Sequence, residues 1–248
     1  MKILYFSGTG NSYATASLIA GKKGELFDMG DCTETEFEDE YVGIVVPCYC
    51  GDIPNKVRTF LTQAKIKSEY IFAVVTCGAT VGNSFIAINQ CIGVNGAKLS
   101  YIKKLVLPDN TVIFATKTKK ATEQMKNHKK MVSDINKELA EKVANAKLKN
   151  RKTPSALTKF YWWQFNKQYK IADKRTNARC IGCGKCVEFC SVGNIKLVDG
   201  KVVFGDHCEN CFACLQRCPN MAIEFGKIKV TNPKRYIHPI FVDGKEYR

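Results

Sequence analysis

A chain of 248 residues leaves room for one or two domains, and no apolar run in it approaches the ~20 residues that span a bilayer, Ile71 to Val81 reading as a buried strand and loop. The net charge of +15 is unevenly placed: residues 1–116 hold 10 Lys/Arg against 11 Asp/Glu, residues 117–179 hold 18 against 5, and residues 180–248 hold 10 against 7. The basic excess in the middle reads as a docking face for an acidic partner or as a solvated lysine-rich helix surface, and with no recognition motif beside it nucleic acid is disfavoured.

Lys2-Ile3-Leu4-Tyr5-Phe6 is a short apolar run that stops at SGTGNS, after which Tyr13 to Ala20 has helical composition. This strand, loop and helix place Gly8 and Gly10 where backbone approaches an anion, with the hydroxyls of Ser7, Thr9 and Ser12 and the helix dipole favouring negative charge. The loop lacks the lysine of a P-loop and the three glycines of a dinucleotide fingerprint, so a single terminal phosphate fits best. Because it begins at Ser7, no cleavable leader is expected, and a cytoplasmic, reducing location follows.

Further strands are predicted at Glu25–Met29, Val42–Val46, Tyr70–Thr76 and Leu99–Leu107, with helices near Asn55–Ala64 and Gly82–Ile92. Five strands alternating with helices predict a doubly wound parallel α/β sheet with ligand loops at the strand carboxyl ends. Two such loops are PCYCGDIP, where Tyr49 can lie against a planar ring and Gly51 permits a tight return, and TCGATVGN, where Gly78 and Gly82 free backbone amides. Cys48 and Cys50 have neither the usual dithiol spacing nor a neighbour that lowers a thiol pKa, so they read as packing. Cys32 and Cys91 likewise read as small buried residues.

A lysine-rich helix is predicted over Lys119–Lys147, docked through Met131, Ile135, Leu139 and Val143. Beyond Pro154, the aromatic cluster of Leu157, Phe160, Tyr161, Trp162, Trp163, Phe165 and Tyr169 is expected to pack two domains together.

Eight of the 13 cysteines crowd into CIGCGKCVEFC and CENCFACLQRC. Three cysteines spaced every third residue wrap one cubane, and the fourth of each run reaches the neighbouring cluster. One 4Fe-4S cluster is therefore assigned Cys180, Cys183, Cys186 and Cys218, the other Cys208, Cys211, Cys214 and Cys190. Zinc prefers paired Cys-x-x-Cys units, and the runs are too dense for disulfides. Pro219 follows Cys218, but Ser191 stands where a second proline is expected, which bears on the turn and on hydrogen bonding to that cluster.

SGTGNS, PCYCGDIP and TCGATVG resemble the three FMN loops of flavodoxins. The whole chain, with LPDNT at 107–111 and TNPKRYIHP at 231–239, resembles the ferrodoxin family of fused flavodoxin–ferredoxin proteins. The resemblance implies a flavodoxin-like FMN domain at 1–147, a basic aromatic connector at 148–176, and a small α+β ferredoxin domain with two 4Fe-4S clusters and a tail at 177–248. It implies Ser7, Gly8, Thr9, Gly10, Asn11 and Ser12 as phosphate ligands, and Pro47, Tyr49, Gly51, Cys77, Gly78 and Asn110 as ring contacts. The third loop offers no Trp or Tyr for the second ring face. The expected function is electron transfer between the clusters and FMN in anaerobic metabolism, with redox proteins as partners. The rivals are an FMN-dependent reductase of a small molecule and a redox-responsive interaction protein. No acid/base residue stands out beside the flavin loops, His128, His207 and His238 lying outside them, and a surface position is expected for His207.

Overall fold

The computed structural model describes residues 1–109, 111, 116–148, 156, 159–160, 163–164, 167, 173–225 and 236–239. Five parallel strands form the main sheet: β1 (Lys2–Tyr5), β2 (Glu25–Asp28), β4 (Tyr41–Pro47), β6 (Tyr70–Cys77) and β7 (Tyr101–Val106). Their spatial order is β2-β1-β4-β6-β7, the flavodoxin-like winding, whose switch point lies at the carboxyl ends of β1 and β4.

Period-2 alternation sends neighbouring side chains to opposite faces. Leu4, Val42, Ile44, Val46, Ala73 and Val75 meet α2 (Asn55–Gln63) and α3 (Ser84–Gly93) on one face. Ile3, Tyr5, Val45, Phe72, Val74 and Leu105 meet α1 (Asn11–Ala20) and α4 (Thr118–Ala140) on the other. β6 is buried along its whole length, as a strand covered on both faces must be. A short parallel pair, β3 (Glu36–Glu38) with β5 (Lys65–Lys67), adds two strands that the sequence pattern did not announce.

The lysine-rich segment does dock on the sheet as a helix, but in a shifted register. Val132, Ile135 and Leu139 are fully buried and Met131 and Val143 only partly. The stripe repeats at 3 and 4 residues, as a straight helix needs, and not at a uniform 4. After α4 the chain covers the edge strand. The Asn145 amide accepts from Ile102 N at 2.8 Å and donates to Ile102 O at 3.2 Å, satisfying backbone groups that β7 would otherwise expose.

The C-terminal unit is small. β8 (Lys174–Thr176) pairs with β11 (Ile223–Phe225), and β9 (Ile195–Val198) pairs with β10 (Lys201–Phe204). Between them lie the single-turn helices α5 (Lys185–Glu188) and α6 (Ala213–Arg217). Its core combines Ile195, Phe212, Leu215, Ile223 and Phe225 with the thiols Cys186, Cys214 and Cys218. Of the connector aromatics, Phe160 and Trp163 are described, both half-exposed with ring centroids 6.0 Å apart. Leu157, Tyr161, Trp162, Phe165 and Tyr169 lie outside the described residues, as does Asn110.

Candidate functional site

A cavity of about 410 Å³ opens at the carboxyl ends of β1, β4 and β6. Ser7, Gly8, Thr9, Asn11 and Ser12 line it from the first loop, Pro47, Tyr49 and Gly51 from the second, and Cys77 and Gly78 from the third. Gly10 does not line it. It sits at φ 102°, a left-handed conformation that suits glycine, where it caps α1, and its N–H donates to Ser7 Oγ at 3.2 Å. The first turn of α1 carries no acidic residue, so its dipole is unopposed. Ser12 Oγ is held by Thr76 Oγ1 at 2.8 Å, and Asn11 Nδ2 donates to Pro108 O at 3.0 Å.

In the second loop Tyr49 and Asp52 exchange backbone hydrogen bonds of 2.8 and 2.9 Å around Cys50 and Gly51, whose φ values are 50° and 79°. Two consecutive positive φ values make this a type I′ turn. Gly82 braces that turn and does not line the cavity: a Cβ there would lie 2.2 Å from Gly51 O. Burial pushes the Cys50 thiol up to about 12 and the Cys77 thiol to about 11, and raises that of Cys48. All three stay protonated at neutral pH, as packing residues do and exchange-active dithiols do not.

Several residues of this cavity escaped the sequence reading. Asp109 and Thr111 enter from the loop after β7, Phe160 and Gln164 from the connector, and Asn210 and Phe212 from the second cysteine run. Phe212 is buried at φ 60°, unusual for an aromatic residue, and caps α6. Phe160 and Phe212 thus bring aromatic side chains to a cavity whose third loop has none, from positions far along the chain. Those positions carry no periodic or motif signal.

The cysteine runs surround two further cavities. One is lined by Cys180, Cys183, Cys186 and Cys218, with Pro219 and Ala222. The other is lined by Cys190, Cys208, Cys211 and Cys214, with Lys174, Phe204 and Phe225. The fourth cysteine of each run thus lies in the cavity of the other run. Each set brings four cysteines around one cavity, the number of thiolates a 4Fe-4S cluster takes. Burial pushes the Cys211 thiol up to about 12 and the Cys214 thiol well above its usual range. Thiolates at those positions need the positive charge of a metal centre, so the donor set fits a multinuclear cluster.

The second cysteine cavity abuts the loops of the strand-end cavity. A Cβ on Gly8 would lie 2.5 Å from Cys211 O, and one on Gly30 would lie 2.0 Å from Ser191 O. Ser191, standing in place of the expected proline, is therefore a buried contact residue of this seam. Glu209 caps α2 across the seam, accepting from Asn55 N at 3.0 Å and Lys56 N at 2.7 Å. Tyr49 reaches the same place: burial, then Cys211 and Glu209, push its phenol well above the usual range, and its hydroxyl has no hydrogen-bond partner among the described residues.

Residues 236–238 return to the first loop. His238 N donates to Thr9 O at 2.9 Å, Tyr236 OH to Asn11 Oδ1 at 2.7 Å, and Tyr236 N to Gln216 Oε1 at 3.0 Å. His238 Nε2 lies 3.4 Å from His128 Nδ1, and His128 Nε2 lies 2.9 Å from Thr15 Oγ1. Both histidines thus stand behind the phosphate-type loop, outside the loops themselves and outside the cavity lining. His207 is exposed, as expected.

Residues 172–219 match the 4Fe-4S dicluster domain family. An uncharacterised ferredoxin of Methanocaldococcus jannaschii is 42% identical over 62 residues, which cover 77% of that protein and 23% of this chain. The chain belongs to the two-cluster ferredoxins, fused behind a flavodoxin-like domain.

It is an iron–sulfur electron-transfer protein. Similar solved structures include a Streptococcus pneumonia flavodoxin (15% identity, TM-score 0.37, covering 57% of this chain and 98% of that one). A Megasphaera elsdenii flavodoxin (22%, 0.33, covering 42% and 83%) and a Bacillus anthracis azoreductase (11%, 0.38, covering 55% and 99%) are also similar. The flavodoxin-like assignment rests on the strand order and not on these scores. No helix among the described residues is long and apolar enough to cross a membrane.

Proposed function

We propose that this protein passes electrons between two 4Fe-4S clusters and an FMN held in the strand-end cavity. The observation that carries the reading is that Asn210 and Phe212, on either side of Cys211, line the same cavity as the three strand-end loops. Bound together, the clusters supply one-electron chemistry and FMN one- or two-electron chemistry, so one chain links the two.

In this reading Cys180, Cys183, Cys186 and Cys218 hold the outer cluster, and Cys190, Cys208, Cys211 and Cys214 hold the seam cluster. Ser7, Gly8, Thr9, Asn11 and Ser12 bind the phosphate and Gly10 shapes the turn. Pro47, Tyr49, Gly51, Cys77 and Gly78 border the ring, with Asn110 as a candidate neighbour. Phe212 closes the side facing the seam and, being buried, keeps water from it. The flavodoxin-like unit runs over about 1–147 and the connector follows it. The ferredoxin unit begins with β8, slightly before residue 177, because β8 pairs with β11.

The outer set presents an entry for a partner. Cys183 is exposed, and beside it Ile181 is 74% exposed. The outer face of the β9–β10 hairpin shows Val198 and Val203 beside Lys196 and Lys201, also exposed. Apolar contacts among lysines suit an acidic, low-potential electron carrier, whose charge steers the encounter. A cytoplasmic, anaerobic setting goes with such a carrier.

The test is anaerobic analysis of the purified chain for iron, sulfide, zinc and acid-released flavin, followed by flavin reduction through the clusters. About eight iron, eight sulfide and one FMN per chain are expected. Zinc without sulfide, or flavin that is not reduced faster when the clusters are present, would overturn the reading.

A further inference from the structure

Lys174, at the start of β8, is 7% exposed. Its Nζ donates to Cys208 Sγ at 2.5 Å and to Asn210 Oδ1 at 2.6 Å, and stands 4.7 Å from the centroid of the Phe225 ring. Arg175 beside it pairs with Glu224 at 3.2 Å, whereas no carboxylate among the described residues lies within ion-pair distance of Lys174. A buried ammonium without a counter-charge is strongly disfavoured, so its compensating anion has to be local. The set of Cys190, Cys208, Cys211 and Cys214, which lines a cavity together with Lys174, is that anion once the thiols are coordinated.

Among the described residues the outer cavity has no equivalent. The lysine that lines it, Lys185, is exposed and its charge is screened by solvent. We propose that Lys174 is a positioning residue that raises the reduction potential of the seam cluster above that of the outer cluster, so that an electron entering at Cys183 comes to rest beside the flavin loops. Each reduction adds one electron and one negative charge to the four-cysteine site. A fixed cation in a poorly solvated position stabilises that charge far more than one in water does. Lys174 acts at a second place through Asn210, whose carbonyl oxygen it holds while Asn210 lines the strand-end cavity. The inference rests on the cysteine assignment proposed above. The external reductant it requires is a low-potential one-electron donor.

The experiment is an EPR-monitored anaerobic redox titration of the full chain, with dithionite and viologen mediators, on wild type, K174M and K174R. The same substitutions in a Cys180→Ala, Cys183→Ala background assign the seam signal. K174M is expected to move the first electron toward the outer cluster, changing its distribution between the two by roughly tenfold or more, and K174R to restore the wild-type order. If K174M does not assemble, K174Q, which keeps a donor toward Asn210, is titrated and the same shift is expected. Unchanged potentials, or an equal shift in both clusters, overturn the proposal while leaving the cluster assignment intact. A wild-type chain with fewer than about eight iron overturns the assignment itself.

Discussion

Cys183 and Cys211 occupy the same place in their two runs, yet Cys183 is exposed at the molecular surface while Cys211 is buried against Gly8. The neighbours diverge in the same way. Ile181 projects into solvent where the matching Glu209 caps a helix of the other domain. Gly184 and Phe212 match as well, and both have left-handed backbone, φ 74° and 60°, at the start of a short helix. Glycine adopts that conformation without strain, whereas an aromatic residue there costs of order 1–2 kcal/mol. The chain tolerates the strain at the position where the side chain fills the seam. Two copies of one ligand spacing thus become an outward-facing site and an inward-facing one, and the difference lies entirely in what packs against them.

The most severe way to break this comparison is to remove one ligand at a time. Cys211→Ala is expected to lower iron from about eight to about four per chain and to slow flavin reduction by every donor. Cys183→Ala is expected to lose a similar amount of iron while small chemical reductants still reduce the flavin. Iron analysis with stopped-flow flavin bleaching reads both, and equal kinetic defects would erase the distinction between the two sites.

Close backbone approach sharpens the contrast next. Gly8→Ala must displace Cys211 O, so a loss of about 1–3 kcal/mol together with weaker flavin retention is expected. Gly184→Ala meets no atom within 4 Å and is expected to cost about 1 kcal/mol through its positive φ, with flavin retention unchanged. Urea unfolding and flavin content after dialysis separate the two, and flavin loss in G184A would count against the seam as the flavin-facing side.

Smaller is the contribution of the interdomain cap. Glu209→Ala leaves Asn55 N and Lys56 N without their acceptor, and a loss of about 1 kcal/mol is expected from equilibrium unfolding. An unchanged midpoint would show that this contact does not tie the second run to α2.

A separate effect is a pH dependence behind the phosphate-type loop. Burial holds His128 down to about 4 and, with His128 as its neighbour, His238 likewise, against an ordinary 6.5. The unfolded chain therefore binds more protons between those values, so stability rises with pH across that window and is lost as pH falls from 6.5 toward 4. His128→Asn is expected to flatten the difference in urea midpoint between pH 7 and pH 5, and parallel slopes in variant and wild type would remove the pair from the account.

What the sequence determined by itself was local and periodic. The ligand spacing of the two runs, the glycine loop between β1 and α1 and the alternation of strands with helices each lie within one short segment or recur at a fixed interval, so composition and spacing suffice to read them. Placing Tyr49 and Gly51 in one tight turn belongs to the same class. Only the tertiary structure decided which cysteine run faces the cavity, that Phe212 and Asn210 line it, that Ser191 is a seam contact, and that His128 and His238 meet behind Thr9. Packing also settled the register of the α4 stripe, Val132 and not Met131 being buried beside Ile135 and Leu139 against the sheet. These contacts join residues far apart in the chain, and no periodicity records such a pairing because the energy that selects it comes from burial and charge compensation formed after the elements meet.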